Sequence, residues 1–308
     1  MALPVFLYPT KFLASPEAME RSWTLEESRD YTRWLATHHY ENFHVVSLLL
    51  PKRLHQDFYN VYSFCRWADD LGDEIGDRQE SLRLLAWWRE ELQAMCAGQP
   101  RHPVFVALAG TVRQYSLPVE LFEHLIQAFE QDQTVTRYRN FEELFAYCRY
   151  SANPVGRLVL GLCGYHDPKR QALSDATCTA LQLANFWQDV TVDLEKDRVY
   201  LPLDLLEAHG YPLESLFARR FDPRFAAAMH EAVQVARELF LQGLPLADSV
   251  DRRLAIDLDL FSRGGLRVLD KIERQGCDVL KARPAISKVE RVGLLLGAVT
   301  RRAFSRAA

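Results

Sequence analysis

Two short stretches of this chain set carboxylates four residues apart inside apolar surroundings. The first reads Tyr62-Ser-Phe-Cys-Arg66-Trp-Ala-Asp69-Asp70-Leu-Gly-Asp73-Glu74, and the second Gln182-Leu-Ala-Asn185-Phe-Trp-Gln-Asp189-Val-Thr-Val-Asp193. On an α-helix, residues i and i+4 are neighbours about 5–6 Å apart at Cβ. Asp69 and Asp73 then share one face, and Asn185, Asp189 and Asp193 share another. Two bare carboxylates at that separation repel each other by roughly 3 kcal/mol at an effective dielectric near 20, so a cation is expected to offset them. Mg²⁺ suits the donors, because it is a hard ion that prefers oxygen, keeps several waters and commonly links one or two carboxylates to phosphate oxygens. Arg66, one turn before Asp69, adds a positive group of the kind that steadies a departing diphosphate. Neither stretch carries the glycines of a P-loop or of an EF-hand loop.

Aspartates at i, i+4 are more often solvated surface residues than ligands. Here, however, Trp67, Leu71, Phe186, Trp187 and Val190 flank them, which predicts helices packed into a core with the carboxylates at their edge. The elements that must hold them read as all-α. Nowhere do β-branched and aromatic residues alternate over more than a few positions, whereas helix starts and stops recur. Thr24-Leu-Glu-Glu27 is a capping box opening a helix toward His38. Further helices are expected from Pro51, over Leu82–Ala97 closed by Gly98, over Pro118–Gln133, over Phe141–Tyr150 and over Val155–Cys163 closed by Gly164. Others are expected from a cap at Ser174 or Asp175 through Asp193, from Asp222-Pro223, and over Arg252–Arg274. No Ser/Gly-rich boundary and no fixed-period repeat divides them, so one domain of some ten helices over residues 1–308 is the most economical reading.

Whole-chain totals exclude several classes of function. With 308 residues, 48% hydrophobic and 25% charged, the chain can bury a large core without disulfides or metals. A formal charge of −4 lacks the basic excess of a nucleic-acid binder. The six cysteines form no C-x-x-C pair and read as reduced, mostly buried thiols of a cytoplasmic protein. His38, His39, His44 and His55 cluster in sequence but offer no i, i+4 pair with a supporting acid, so zinc is not read there.

The total hides an asymmetry. Residues 281–308 hold seven basic side chains against the single Glu290, a net +6 that leaves −10 for the rest. Ile286, Val289, Val292, Leu295, Leu296 and Val299 recur at helical spacing in the same segment. A basic amphipathic helix of this kind either packs on the body with a solvated basic face or rests on an anionic membrane surface. No apolar run is long enough to span a bilayer.

Taken with their flanks, the two stretches resemble the aspartate-rich motifs of the squalene/phytoene synthase family. The flanks are Cys65-Arg66 before the first motif and Leu194-Glu-Lys-Asp-Arg198-Val-Tyr200-Leu-Pro202 after the second. The motifs stand in the family's order, 120 residues apart from Asp69 to Asp189, and the likeness covers nearly the whole chain. It implies an isoprenoid-synthase fold with helices around a central cavity. It also implies Mg²⁺ held by Asp69, Asp73, Asn185, Asp189 and Asp193, and ionisation of an allylic diphosphate as the first step. Within the family, His39-Tyr-Glu-Asn-Phe43, Ser151-Ala-Asn-Pro-Val-Gly156 and Asn185-Phe-Trp-Gln-Asp189 are similar to the hydroxysqualene-forming branch. That branch implies presqualene diphosphate as substrate, loss of diphosphate and capture of the cation by water.

Where many members have Ser-x-Ser-Phe, this chain has Tyr40-Glu-Asn42-Phe43. The phenol and amide that replace the hydroxyls can still donate hydrogen bonds. Tyr40, Asn42, Phe43 and Gln182 are therefore expected to bind substrate. Arg66 is expected to assist diphosphate departure, while Tyr62 and Tyr147 match family cavity positions where aromatic faces steady a cation. The competing readings are condensation of two farnesyl diphosphates on the same fold and a non-catalytic assembly factor, which intact aspartates disfavour. Expected partners are the isoprenoid diphosphate, pathway enzymes and a peripheral membrane surface.

Overall fold

A computed structural model describes residues 6–38 and 51–304, with side chains through 301. Among these residues there are sixteen α-helices and two short 3₁₀ turns. The only strand-like feature among them is a single parallel bridge between Arg137 and Val199. The all-α expectation holds. The helices gather into two compact units, each drawn from two stretches of chain. One comprises residues 1–134 and 157–166, the other 135–156 and 167–308.

The first unit begins with α1 (Pro9–Leu13), α2 (Pro16–Glu20) and α3 (Leu25–His38). The predicted capping box opens α3. The Thr24 hydroxyl accepts from the Glu27 amide at 3.3 Å, and the Glu27 carboxylate accepts from the Thr24 amide at 3.0 Å. Next come α4 (His55–Asp73), α5 (Arg78–Cys96), α6 (Pro103–Tyr115) and α7 (Glu120–Asp132). Gly98 takes φ +79° to end α5, a conformation that side-chain-bearing residues resist. Helix α4, which carries the first aspartate motif, packs against α3, α5, α6 and α7. Trp67 on α4 stacks on Trp88 of α5 at 5.1 Å between centroids and donates from its indole to the Tyr31 hydroxyl at 3.0 Å. A buried polar chain fixes the axial position of α4: the Thr32 hydroxyl donates to Asn60 at 2.7 Å, and Asn60 donates to Thr111 at 3.0 Å. Thr111 in turn donates to Asp57 at 2.7 Å.

Helix α8 (Phe141–Ser151) belongs to the second unit, and of α9 (Asn153–Leu162) residues 153–156 are assigned to the second unit and the rest to the first. The second unit continues with α10 (Pro168–Gln188), α11 (Val190–Glu195), α12 (Leu203–Ala208) and α13 (Leu213–Phe217). It ends with α14 (Pro223–Gly243), α15 (Arg252–Arg274) and α16 (Lys288–Phe304). Helix α10 carries the second motif and packs on α14 and α15. Trp187 at its end is fully buried and donates to the Ala232 carbonyl at 3.0 Å.

Both ends of the helix that carries the second motif differ from the sequence expectation. Helix α10 starts at Pro168 because Asp167 caps it, accepting from the Arg170 amide at 3.0 Å; Ser174 and Asp175 lie inside it. It also does not run straight to Asp193, because Asp189 adopts φ −105°, ψ 16° and separates α10 from α11. The six cysteines form no disulfide, but two are buried, three half-buried and Cys96 exposed, a wetter distribution than the sequence suggested.

Candidate active site

The first motif occupies the last turns of α4. Trp67 and Leu71 are fully buried, Asp69 is half-buried, and Asp73, the final helical residue, is exposed. The motif thus stands on a helix embedded in the core and presents its carboxylates at the C-terminal tip. That end of a helix already carries partial negative charge from its unpaired carbonyls, so the acidic cluster calls for cations. One is built in. Arg66, only 5% exposed at its side chain, places Nη2 2.9 Å from Asp69 Oδ2 and donates from Nε to Asp70 Oδ1 at 2.7 Å. Asp70, buried and four residues on from Arg66, is the member of this constellation that sequence reasoning passed over. Gln133, just past the end of α7, donates to the Gly72 carbonyl at 2.9 Å and so satisfies the end of α4. Beside Asp69, burial above all pushes the Cys65 thiol up to about 12 and keeps it a neutral thiol.

The second motif crosses the α10–α11 junction. Phe186, Trp187 and Val190 are buried, while Asn185 is exposed and Asp189 and Asp193 are half-buried. Although Asp189 departs from helical angles, the i, i+4 pattern continues through it: its amide donates to Asn185 O at 2.9 Å, and the Asp193 amide donates to Asp189 O at 2.9 Å. The three side-chain positions therefore stay linked turn by turn across the break.

Sequence reasoning missed the partner of Asp189. Arg283, from the segment before α16, pairs with its carboxylate through Nε and through Nη2, the latter at 3.1 Å. This pairing raises the Arg283 pKa above the ordinary arginine value. Gln188 next door holds the same segment by donating to the Pro284 carbonyl. Nothing in the local sequence around Asp189 signals a partner 94 residues away.

The remaining candidates divide. Tyr147 on α8 is buried in an aromatic cluster with Tyr138, Phe186 and Tyr200. Within it, Phe186 and Tyr200 stack at 3.6 Å and Tyr147 lies 5.5 Å from Tyr138. Tyr62 on α4 and Gln182 on α10 are half-buried. Tyr40, Asn42 and Phe43 lie outside the described residues, as do His39 and His44.

Each motif, taken by itself, offers donors of the kind Mg²⁺ takes: carboxylates, with one amide in the second, all hard oxygen donors with no imidazole or thiolate among them. Among the described residues, no three His, Cys, Asp or Glu side chains gather into a cage able to hold a metal alone.

Residues 36–290 match the squalene/phytoene synthase family, and the chain belongs to it, a family of isoprenoid synthase enzymes that bind isoprenoid diphosphates. Among relatives, the chain is 35% identical over 281 residues to phytoene synthase of Thermus thermophilus, covering 91% of this chain and 93% of that one. It is 32% identical over 277 residues to hydroxysqualene synthase of Rhodopseudomonas palustris, covering 88% and 93%. Among solved structures, squalene synthase HpnC from Alicyclobacillus acidocaldarius superimposes with a TM-score of 0.78 at 45% identity, covering 82% of this chain and 95% of that one. A dehydrosqualene synthase aligns at 0.80 with 21% identity over 92% and 98%, which speaks for the fold alone. The chain therefore has the isoprenoid synthase fold expected from its sequence. No described helix is long and apolar enough to cross a membrane.

Proposed function

We propose that the protein converts presqualene diphosphate to hydroxysqualene with release of diphosphate, a lyase-type reaction in squalene and hopanoid biosynthesis. In the balance of that reaction the carbon–oxygen bond to diphosphate breaks, water supplies the oxygen of the new carbon–oxygen bond, and its proton leaves to diphosphate or solvent. The observation that carries the reading is the pair of carboxylate sets, each displayed at the end of a core-packed helix. Relatedness to two hydroxysqualene synthases supports the product.

Mg²⁺ would be held at Asp69 and Asp73 in one unit and at Asn185, Asp189 and Asp193 in the other. When bound, it supplies Lewis-acid neutralisation of diphosphate charge. The chain's own groups do the rest. Arg66 holds Asp69 in place and adds positive charge beside the motif. The faces of Tyr62 and Tyr147 steady cationic charge without acting as nucleophiles, with Tyr40, Asn42, Phe43 and Gln182 binding substrate. The protein acts in the cytoplasm with peripheral membrane contact through residues 281–308, beside other enzymes of the pathway.

The 45% identity to squalene synthase HpnC favours a second reading, transferase-type head-to-head condensation of two farnesyl diphosphates to presqualene diphosphate or squalene. Incubation with each diphosphate plus Mg²⁺, without a reductant, separates the two. Hydroxysqualene from presqualene diphosphate is expected, and product from farnesyl diphosphate alone would overturn the first reading. If folded Asp69→Ala and Asp189→Ala proteins released diphosphate at the wild-type rate, the aspartates would have no catalytic part; if the wild type released none from either diphosphate, a non-catalytic assembly role would replace both readings.

A further inference from the structure

Helix α16 is docked by one side and bare on the other. On the docked side, Lys271 of α15 reaches Glu290 at 2.8 Å, Arg301 reaches Asp259 of α15 at 2.6 Å, and Ala298 is completely buried. At 3.6 residues per turn, Val292, Leu296 and Val299 fall on the side away from Glu290 and Arg301, and Val289 lies at the edge of that stripe. They are exposed: Val289 by 82%, Leu296 by 61%, Val292 by 58%. The orientation is thus the reverse of a terminal helix packing its apolar face on the body. Ion pairs hold the inner side while the greasy stripe faces out.

Charge selects what the stripe meets. The only acid of the segment 281–308, Glu290, is turned inward, where Lys271 and the Ser287 amide occupy its carboxylate. Lys288 and Arg291 stand exposed along one flank of the stripe. An apolar stripe edged by cations, on a helix too short and polar to cross a bilayer, is the pattern of a helix lying in the plane of an anionic membrane interface.

We propose that this outer face of α16, through Val289, Val292, Leu296 and Val299 with Lys288 and Arg291, docks the protein on a bilayer containing anionic lipid. The proposal rests on the membrane contact assigned above to residues 281–308 and specifies its face and its lipid. A second copy of the chain is the competing occupant.

The test uses the full-length protein, co-sedimented with vesicles of phosphatidylcholine alone and of phosphatidylcholine with phosphatidylglycerol. Wild-type protein is expected to bind the mixed vesicles and to lose binding as salt rises. Val289→Ser/Val292→Ser/Leu296→Ser should abolish binding, and Lys288→Glu and Arg291→Glu should each weaken it about fivefold or more, the equivalent of about 1 kcal/mol per basic residue. Leu241→Ser, at an exposed leucine on α14, should change nothing. Circular dichroism confirms that each variant is folded. If the wild type binds vesicles and the triple variant binds equally well, the stripe is overturned while the membrane reading survives. If the wild type binds no vesicles, both fall. A wild-type dimer by light scattering that the triple variant converts to monomer, without vesicle binding, assigns the stripe to a second copy.

Discussion

Arg283 covers the carboxylate of Asp189 with two parallel donors, its Nη2 at 3.1 Å from Oδ2. A fork of this kind is a strong, directional ion pair, and it occupies the oxygens proposed to bind Mg²⁺. Ion and guanidinium therefore compete for one carboxylate. Replacing Arg283 by Gln removes the competitor, so in the absence of any diphosphate Mg²⁺ should raise the melting temperature of Arg283→Gln more than that of the wild type. Equal shifts would show that Asp189 does not receive the ion. Asp189→Asn should reduce the shift to a common smaller value in either background and lower turnover at least about a hundredfold.

Asp257 of α15 is buried, and neither carboxylate oxygen has a hydrogen-bond partner. Burial, with a smaller contribution from Asp251, pushes its pKa up from 3.8 to about 8. Between those values the folded protein holds a proton that the unfolded chain releases. Stability should therefore fall as pH rises from about 4 to 8, by at most about 1.4 kcal/mol per unit from this group. Asp257→Asn keeps the shape without the charge. Urea midpoints across this range should lose that slope, and the variant should be the more stable protein above pH 8.

Helix α10, which carries the second motif, is pressed closely against α14. A Cβ on Gly243 would lie 2.1 Å from Thr177 Oγ1 and 3.0 Å from the Leu173 carbonyl. Gly243→Ala should destabilise the protein by about 1–3 kcal/mol. Gly264→Ala, where a Cβ meets nothing within 4 Å, should stabilise it by roughly 0.4–1 kcal/mol through the unfolded chain. Thermal unfolding of the two variants side by side checks both signs.

What the sequence made legible was local. Thr24 with Glu27, and Asp222 before Pro223, announce helix starts through side chains that satisfy nearby amides, and the structure places α3 and α14 there. The motif aspartates were legible for a similar reason, since i, i+4 spacing carries its own geometry. Ser174 misled because a polar residue resembles a cap. It instead lies within α10 beside Gly156, whose absent Cβ would come within 2.4 Å of its hydroxyl. Helix α6 was missed because its start is a His102 ring nitrogen accepting from the Val104 amide, and not one of the usual capping side chains. Neither the Arg283–Asp189 pair nor the outward turn of α16 has a local signature. Both depend on which surface of a remote helix the chain returns to.

Arg66 shows how the first motif is held together before any ligand arrives. Its buried guanidinium serves the half-buried Asp69 and the buried Asp70 at once. Lysine offers a compact charge that cannot span two carboxylates in this way, and methionine offers none. Arg66→Met should destabilise the protein by roughly 3–5 kcal/mol, because the Asp70 carboxylate stays buried after its counter-ion is gone. Replacing both partners, as Arg66→Met/Asp70→Leu, should recover much of that loss, since no buried charge is then left behind. Turnover should stay low in the double variant, because Asp69 has lost the group that orients it. A double variant that regains both stability and wild-type turnover would reduce Arg66 to a purely structural counter-ion.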